Sequence, residues 1–172
     1  SATAASADLA RRAGMSWAEL LAADRIVQLV DPASRDHVLD AAARLLGSGA
    51  TLATPAIATA LREREALGST GIGHGVAIPH ARGAMFNAAR GAFLRLTRPV
   101  DFPTPDGQPV DLVFALCAPE DLPDVHLQHL ASIAERFADR GFVAALRDAP
   151  DVTTLRRRLL GDDPPAATFK IE

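Results

Sequence analysis

The run 110-VDLVFALCA-118 limits the possible folds more than any other part of the chain. Apart from Asp111 it is apolar without interruption. Successive side chains of a strand point to opposite faces, so a run of this kind reads as a central strand covered on both sides. Three further strands are expected: 25-RIVQLV-30, which Asp31-Pro32 breaks, Val76-Ala77-Ile78, and 91-GAFLRL-96. Between the last of these and the central run, 101-DFPTPDGQP-109 is rich in turn formers.

The intervening segments carry helical patterns. Val38, Leu39, Ala42, Leu45 and Leu46 make one apolar stripe at i, i+1, i+4, i+7 and i+8. Ser34 is placed to cap that helix and Gly47 to supply a left-handed stop. Thr54-Pro55 opens a second helix, which carries Arg62 and Arg64 and should end near Gly68. Ser16-Trp17-Ala18-Glu19 has capping-box spacing and announces a short helix ahead of the first strand. A helix is expected from Pro123 to Phe137 with Leu127, Leu130, Ala134 and Phe137 on one side, and shorter ones near 142–148 and 152–160. Strands alternating with helices predict one α/β domain, a mixed central β-sheet flanked by helices on both faces. It should occupy residues 16–160, between a flexible N-terminal arm (1–15) and a flexible C-terminal tail (161–172).

Composition enters as a set of exclusions. The chain has 172 residues, 48 % of them apolar, enough to bury a core. A net charge of −3 with no long basic block gives nucleic-acid binding little electrostatic support. The cluster Arg156-Arg157-Arg158 reads as a solvated helix face. One cysteine, Cys117, rules out an internal disulfide framework, agrees with a reducing compartment, and sits in the central run as a buried, inert thiol. No apolar stretch approaches the ~18–20 residues that cross a bilayer, and the first residues lack the apolar segment of a signal peptide. Cytoplasmic placement without membrane insertion is the expectation.

Chemistry concentrates in 69-STGIGHGVAIPHARG-83. Gly71, Gly73 and Gly75 allow sharp bends and close approach, and are expected to shape an open shelf at His80. Pro79 fixes φ and cannot donate to a ladder, so pairing should stop there and leave the His80 imidazole at a rigid strand end. A glycine-rich turn followed by an incidental histidine stays open on spacing alone. A P-loop would need Gly-Lys-Ser/Thr where this chain has Gly75-Val76-Ala77, and a dinucleotide fingerprint needs the opposite order of strand and helix. A zinc site could draw on His74, His80, His126 and His129, but no recognised ligand spacing accompanies them. His37, in the first turn of its helix, reads as a surface residue.

Taken together, Arg64-Glu65, Gly68-Ser69-Thr70-Gly71-Ile72-Gly73 and Gly75-Val76-Ala77-Ile78-Pro79-His80 resemble the phosphotransferase-system IIA domains of the fructose/mannitol (type 2) superfamily. The block 107-GQPVDLVFALCAP-119 with His126-Leu127 after it extends the likeness over roughly residues 16–160, and its nitrogen-regulatory branch is the nearest. The resemblance implies a phosphohistidine carrier in a phosphoenolpyruvate-dependent chain. His80 would accept phosphate from an HPr-like (NPr-type) protein, with Arg64 and His126 as its neighbours, and no cofactor would be required. It also implies an output through regulated partner proteins. Three readings remain beside it: a sugar-specific IIA component feeding a IIB protein, a binding module without phosphotransfer, and the zinc protein. His74 departs from the pattern, which leads one to expect Asn or a small polar residue there, and would add a titratable group near the site. His129 has no role in the family pattern.

Overall fold

The apolar run is the central strand of a mixed sheet in the computed structural model, which describes residues 19–48 and 54–161. In chain order the elements are β1 (Ile26–Leu29), α1 (Arg35–Gly47), α2 (Thr54–Leu67), β2 (Gly71–Gly73), β3 (Val76–Ala77), β4 (His80–Gly83), β5 (Arg90–Val100), β6 (Val110–Pro119), α3 (Pro123–Phe137), α4 (Arg140–Asp148) and α5 (Val152–Leu160). β6 lies antiparallel to β5 on one side and parallel to β3 and β4 on the other. β1 runs parallel outside β5, and β2 antiparallel outside β3.

Alternation along β6 divides the core into two layers. Leu112, Phe114 and Leu116 pack with Phe137, Leu146 and Leu159 of the C-terminal helices. Val113, Ala115 and Cys117 pack with Leu39, Leu46 and Leu61 of α1 and α2. None of these six β6 side chains is exposed, which is why the run carries no polar interruption after Asp111. The α/β sheet with helices on both faces is therefore the observed architecture.

Several local expectations change. β1 is shorter than 25–30 because residues 23–25 form a single 3-10 turn ahead of it. β5 runs well beyond residue 96, to Val100, since β6 supplies a long antiparallel partner. Ser34 caps α1 as expected, accepting the His37 N–H at 3.1 Å, while the His37 ring accepts the Ala33 N–H at 2.9 Å. Gly47 is no left-handed stop: it is the buried last residue of the helix, and Ser48 closes the end with its N–H and hydroxyl on the Leu45 carbonyl. On α3 the buried positions are His126, Ile133 and Phe137, while Leu127 is 64 % exposed. Arg156 is half-buried and donates to the Ile26 carbonyl, so the arginine cluster of α5 is only partly a solvated face. Ser16–Ala18 of the capping box, the arm and all of the tail but residue 161 lie outside the described residues; Glu19 and Leu20 are helical.

The strand carrying His80 is broken rather than ended. His80 pairs with Leu116 just as Val76 pairs with Leu112, four residues on in both strands, so β3 and β4 share one register across a gap at Ile78-Pro79. Pro79 cannot donate, but its carbonyl still accepts the Leu116 N–H at 2.9 Å. His80 thus opens a strand, where pairing was expected to have stopped.

Candidate functional site

Arg64, His80 and His126 come from three separate elements and meet at one cavity of about 690 Å³, which they line together. His80 is half-buried at the start of β4, Arg64 stands on the last turn of α2, and His126 lies in the first turn of α3. The His80 Nδ1 is 2.8 Å from the Ile78 carbonyl oxygen. A carbonyl only accepts, so Nδ1 carries the proton and Nε2 keeps its lone pair. The other side of the ring agrees: the Arg64 Nε–H, which only donates, lies 3.1 Å from Nε2. Two independent partners fix the same tautomer. Arg64 is itself steadied by its Nη1 donating to the Gly68 carbonyl at 2.8 Å.

The charge state follows from the surroundings. Burial, the largest influence, lowers the His80 pKa below the ordinary 6.5, and the Arg64 and Arg82 charges act the same way. The Ile78 hydrogen bond and the Glu65 carboxylate pull in the opposite direction without prevailing. His126 is pushed down to about 4, first by burial and then by His80, Arg82 and His129. Its ring is 5.4 Å from that of His80, is 5 % exposed, and has neither nitrogen hydrogen-bonded. Both imidazoles are neutral at pH 7, one with a lone pair directed at a cation, the other with unspent hydrogen-bonding capacity.

Glu65 was passed over in the sequence except as half of a matching pair, yet it is the buried brace of the site. Its carboxylate accepts the Thr70 N–H at 2.8 Å and the Thr70 hydroxyl at 2.6 Å. The Thr70 carbonyl accepts the Ile78 N–H at 3.0 Å, and the Ile78 carbonyl holds His80. One chain of bonds thus runs from α2 to the imidazole. Nothing in the Glu65–Thr70 spacing announces it. Arg82 was also missed, although strand alternation could have placed it on the face of His80. It lines the same cavity.

Other expectations are corrected. None of Gly71, Gly73 and Gly75 lines the His80 cavity. Gly73 and Gly75 serve a turn at the far end of β3 and Gly71 pairs with Ala77 across the hairpin; a Cβ on Gly71 would lie 2.8 Å from the Pro103 carbonyl oxygen and one on Gly75 would meet Asp111 at 2.8 Å. Gly73 and Gly75 have φ of +96° and +79°, and His74 between them has φ +56°. That value fits the Asn that the family resemblance leads one to expect here, since Asn tolerates the left-handed region better than most residues. His74 is not beside the site. Its N–H donates to Asp106 at 2.8 Å and its carbonyl accepts from Arg147 at 2.6 Å. The four histidines therefore do not converge as a zinc set, and among the described residues no three His, Cys, Asp or Glu side chains do. His129 is half-buried, and its Nδ1 has no hydrogen bond. Cys117 is fully buried, with burial raising its thiol pKa to about 11. Among the described residues, no helix is long and apolar enough to cross a membrane.

Comparison with known proteins bears on this arrangement. A family model described as "Phosphoenolpyruvate-dependent sugar phosphotransferase system, EIIA 2" matches residues 19–161. A nitrogen regulatory protein of Bradyrhizobium diazoefficiens is 45 % identical over 100 residues, which are 58 % of this chain and 65 % of that relative. One from Escherichia coli (strain K12) is 38 % identical over 117 residues, covering 67 % of this chain and 72 % of its own length. Among solved structures, the nitrogen regulatory protein IIA-Ntr of Neisseria meningitidis superposes with a TM-score of 0.76 at 36 % identity, over 83 % of this chain and 97 % of that one.

Proposed function

The chain belongs to the EIIA 2 family of the phosphoenolpyruvate-dependent sugar phosphotransferase system, and from that premise we propose that it is a phosphohistidine carrier whose output is regulatory, with His80 as the acceptor. The carrier role in phosphotransfer comes with the family. The regulatory output is supported by the relatives named nitrogen regulatory proteins.

The observation that carries the assignment of His80 is its tautomer: Nδ1–H on the Ile78 carbonyl and the Nε2 lone pair toward the cavity. In the transfer the Nε2 pair forms a bond to phosphorus, and the bond from phosphorus to the donor's leaving atom breaks, that atom keeping the electrons. The Nδ1 proton stays against Ile78, which supports the positive charge the ring acquires. Arg64 is hydrogen-bonded to Nε2 in the free protein, so its Nε–H exchanges the lone pair for a phosphoryl oxygen as the group arrives. His126 can donate one ring N–H to a second oxygen, from the first turn of a helix whose dipole favours anions there. This is positioning and charge neutralisation, the work phosphoryl transfer asks of a protein.

The donor is an HPr-like phosphocarrier of the NPr type, and the reading carries a cytoplasmic location with it. Leu67 (85 % exposed) and Leu127 line the cavity and give such a partner an apolar rim to dock on. Incubation with phosphoenolpyruvate, enzyme I and the donor should add one acid-labile, base-stable phosphate per chain. Retention of that label in His80→Ala would falsify the assignment. Passage of the label to a sugar-specific IIB protein would move the output from regulation to sugar uptake.

A further inference from the structure

We propose that Arg82 is the second cation of the His80 site and binds the phosphoryl group once it sits on Nε2; the proposal rests on the phosphotransfer reading above and adds a residue to it. Residues i and i+2 of a strand share a face about 7 Å apart, which puts Arg82 beside His80 on β4. Both line the same cavity. Arg82 is exposed, forms no ion pair among the described residues, and makes only a long 3.4 Å hydrogen bond to the Glu120 carbonyl. Little holds it away from an arriving anion.

Charge accounting shows why a second cation is needed. The charged side chains lining the cavity are Glu63, Arg64 and Arg82. Glu63 and Arg64 cancel, and Glu65 lies buried just behind His80. An arriving phosphoryl group adds roughly 1.5–2 negative charges near pH 7. Arg64 faces that charge alone unless Arg82 joins it, and part of the Arg64 fork is committed to the Gly68 carbonyl. Arg82 supplies the missing charge and a second planar set of donors. It moves no proton and breaks no bond.

The test separates action on the phosphoryl group from docking of the donor protein. Wild type, Arg82→Gln, Arg82→Ser and Arg82→Lys are labelled with inorganic phosphoramidate, a donor too small to dock, and in parallel with the protein donor. Both neutral variants should take label from phosphoramidate on the order of 10-fold more slowly. Their phosphoryl groups should titrate at higher pH in ³¹P NMR, and Arg82→Lys should restore most of both properties. Thermal midpoints should match the wild type, since the side chain is exposed. Wild-type rates and phosphoryl titration in the neutral variants overturn the proposal, as does slowing seen with the protein donor alone, which assigns Arg82 to docking. Failure of the wild type itself to take label from either donor sinks the phosphotransfer reading and this proposal together.

Discussion

Replacing Glu65 by alanine should cost the fold roughly 2–6 kcal/mol. Glu65 and Thr70 are 5 % and 6 % exposed. The substitution removes the acceptor for the Thr70 N–H (2.8 Å) and for its hydroxyl (2.6 Å) and leaves both without water in reach. An orphaned buried donor costs about 1–3 kcal/mol, and there are two of them. For a domain of this size ~1 kcal/mol moves the melting midpoint by about 2–4 °C, so a fall of roughly 4–24 °C is expected by circular dichroism. Glu65→Gln keeps one acceptor oxygen and an amide that the rotatable hydroxyl can accept from, so it should lose about half as much. The brace also reaches the imidazole through Thr70 and Ile78, and the carboxylate raises the His80 pKa. Glu65→Ala should therefore lower that pKa further, read from the ring-proton shifts by NMR. A melting midpoint within about 2 °C of wild type, with an unmoved His80 titration, would refute the brace.

Two further outcomes follow from the site. Arg64→Ala should slow phosphate uptake on the order of 10–100-fold, as one charge-assisted hydrogen bond contributes ~1.5–3 kcal/mol, and Arg64→Lys should recover only part of it because the Nε–H on His80 is lost; stopped-flow transfer rates equal to wild type would remove Arg64 from the mechanism. His126 has a folded pKa of about 4 against an ordinary 6.5, so the unfolded chain binds its proton first; the stability it contributes is complete above pH 6.5 and is lost as pH falls toward 4. The full span is worth up to about 3 kcal/mol. Urea midpoints at pH 7, 5.5 and 4.5 should fall less steeply in His126→Gln, with a residual slope from His80 and His129, whose pKa values are also lowered; an unchanged slope would contradict the burial argument.

The elements differ in how far the sequence discloses them. α3 and α5 begin and end where the helical patterns of the sequence put them, at Pro123–Phe137 and Val152–Leu160. Such patterns are local. β5 was underestimated because its last residues, including Pro99, are strand only through the pairing of Val100 with Val110. Spacing puts Leu127 on one side of its helix with Leu130, Ala134 and Phe137, yet it is exposed and lines the cavity while Phe137 is buried. Periodicity finds an apolar stripe but does not say whether its edge meets another element or an open rim.

The sequence alone determined the two-sided sheet and the three side chains worth examining. An uninterrupted run such as Val113–Cys117 leaves no face for water, and Arg64, His80 and His126 are marked by the likeness of their segments to a known family. Only the tertiary structure decided how they are arranged. It put the Ile78 carbonyl on one ring nitrogen and the Arg64 guanidinium on the other, set Glu65 behind them, and placed Gly73, His74 and Gly75 at the opposite end of the strand. Tautomer, pKa and charge balance depend on distances across the fold, between atoms that chain position leaves unrelated.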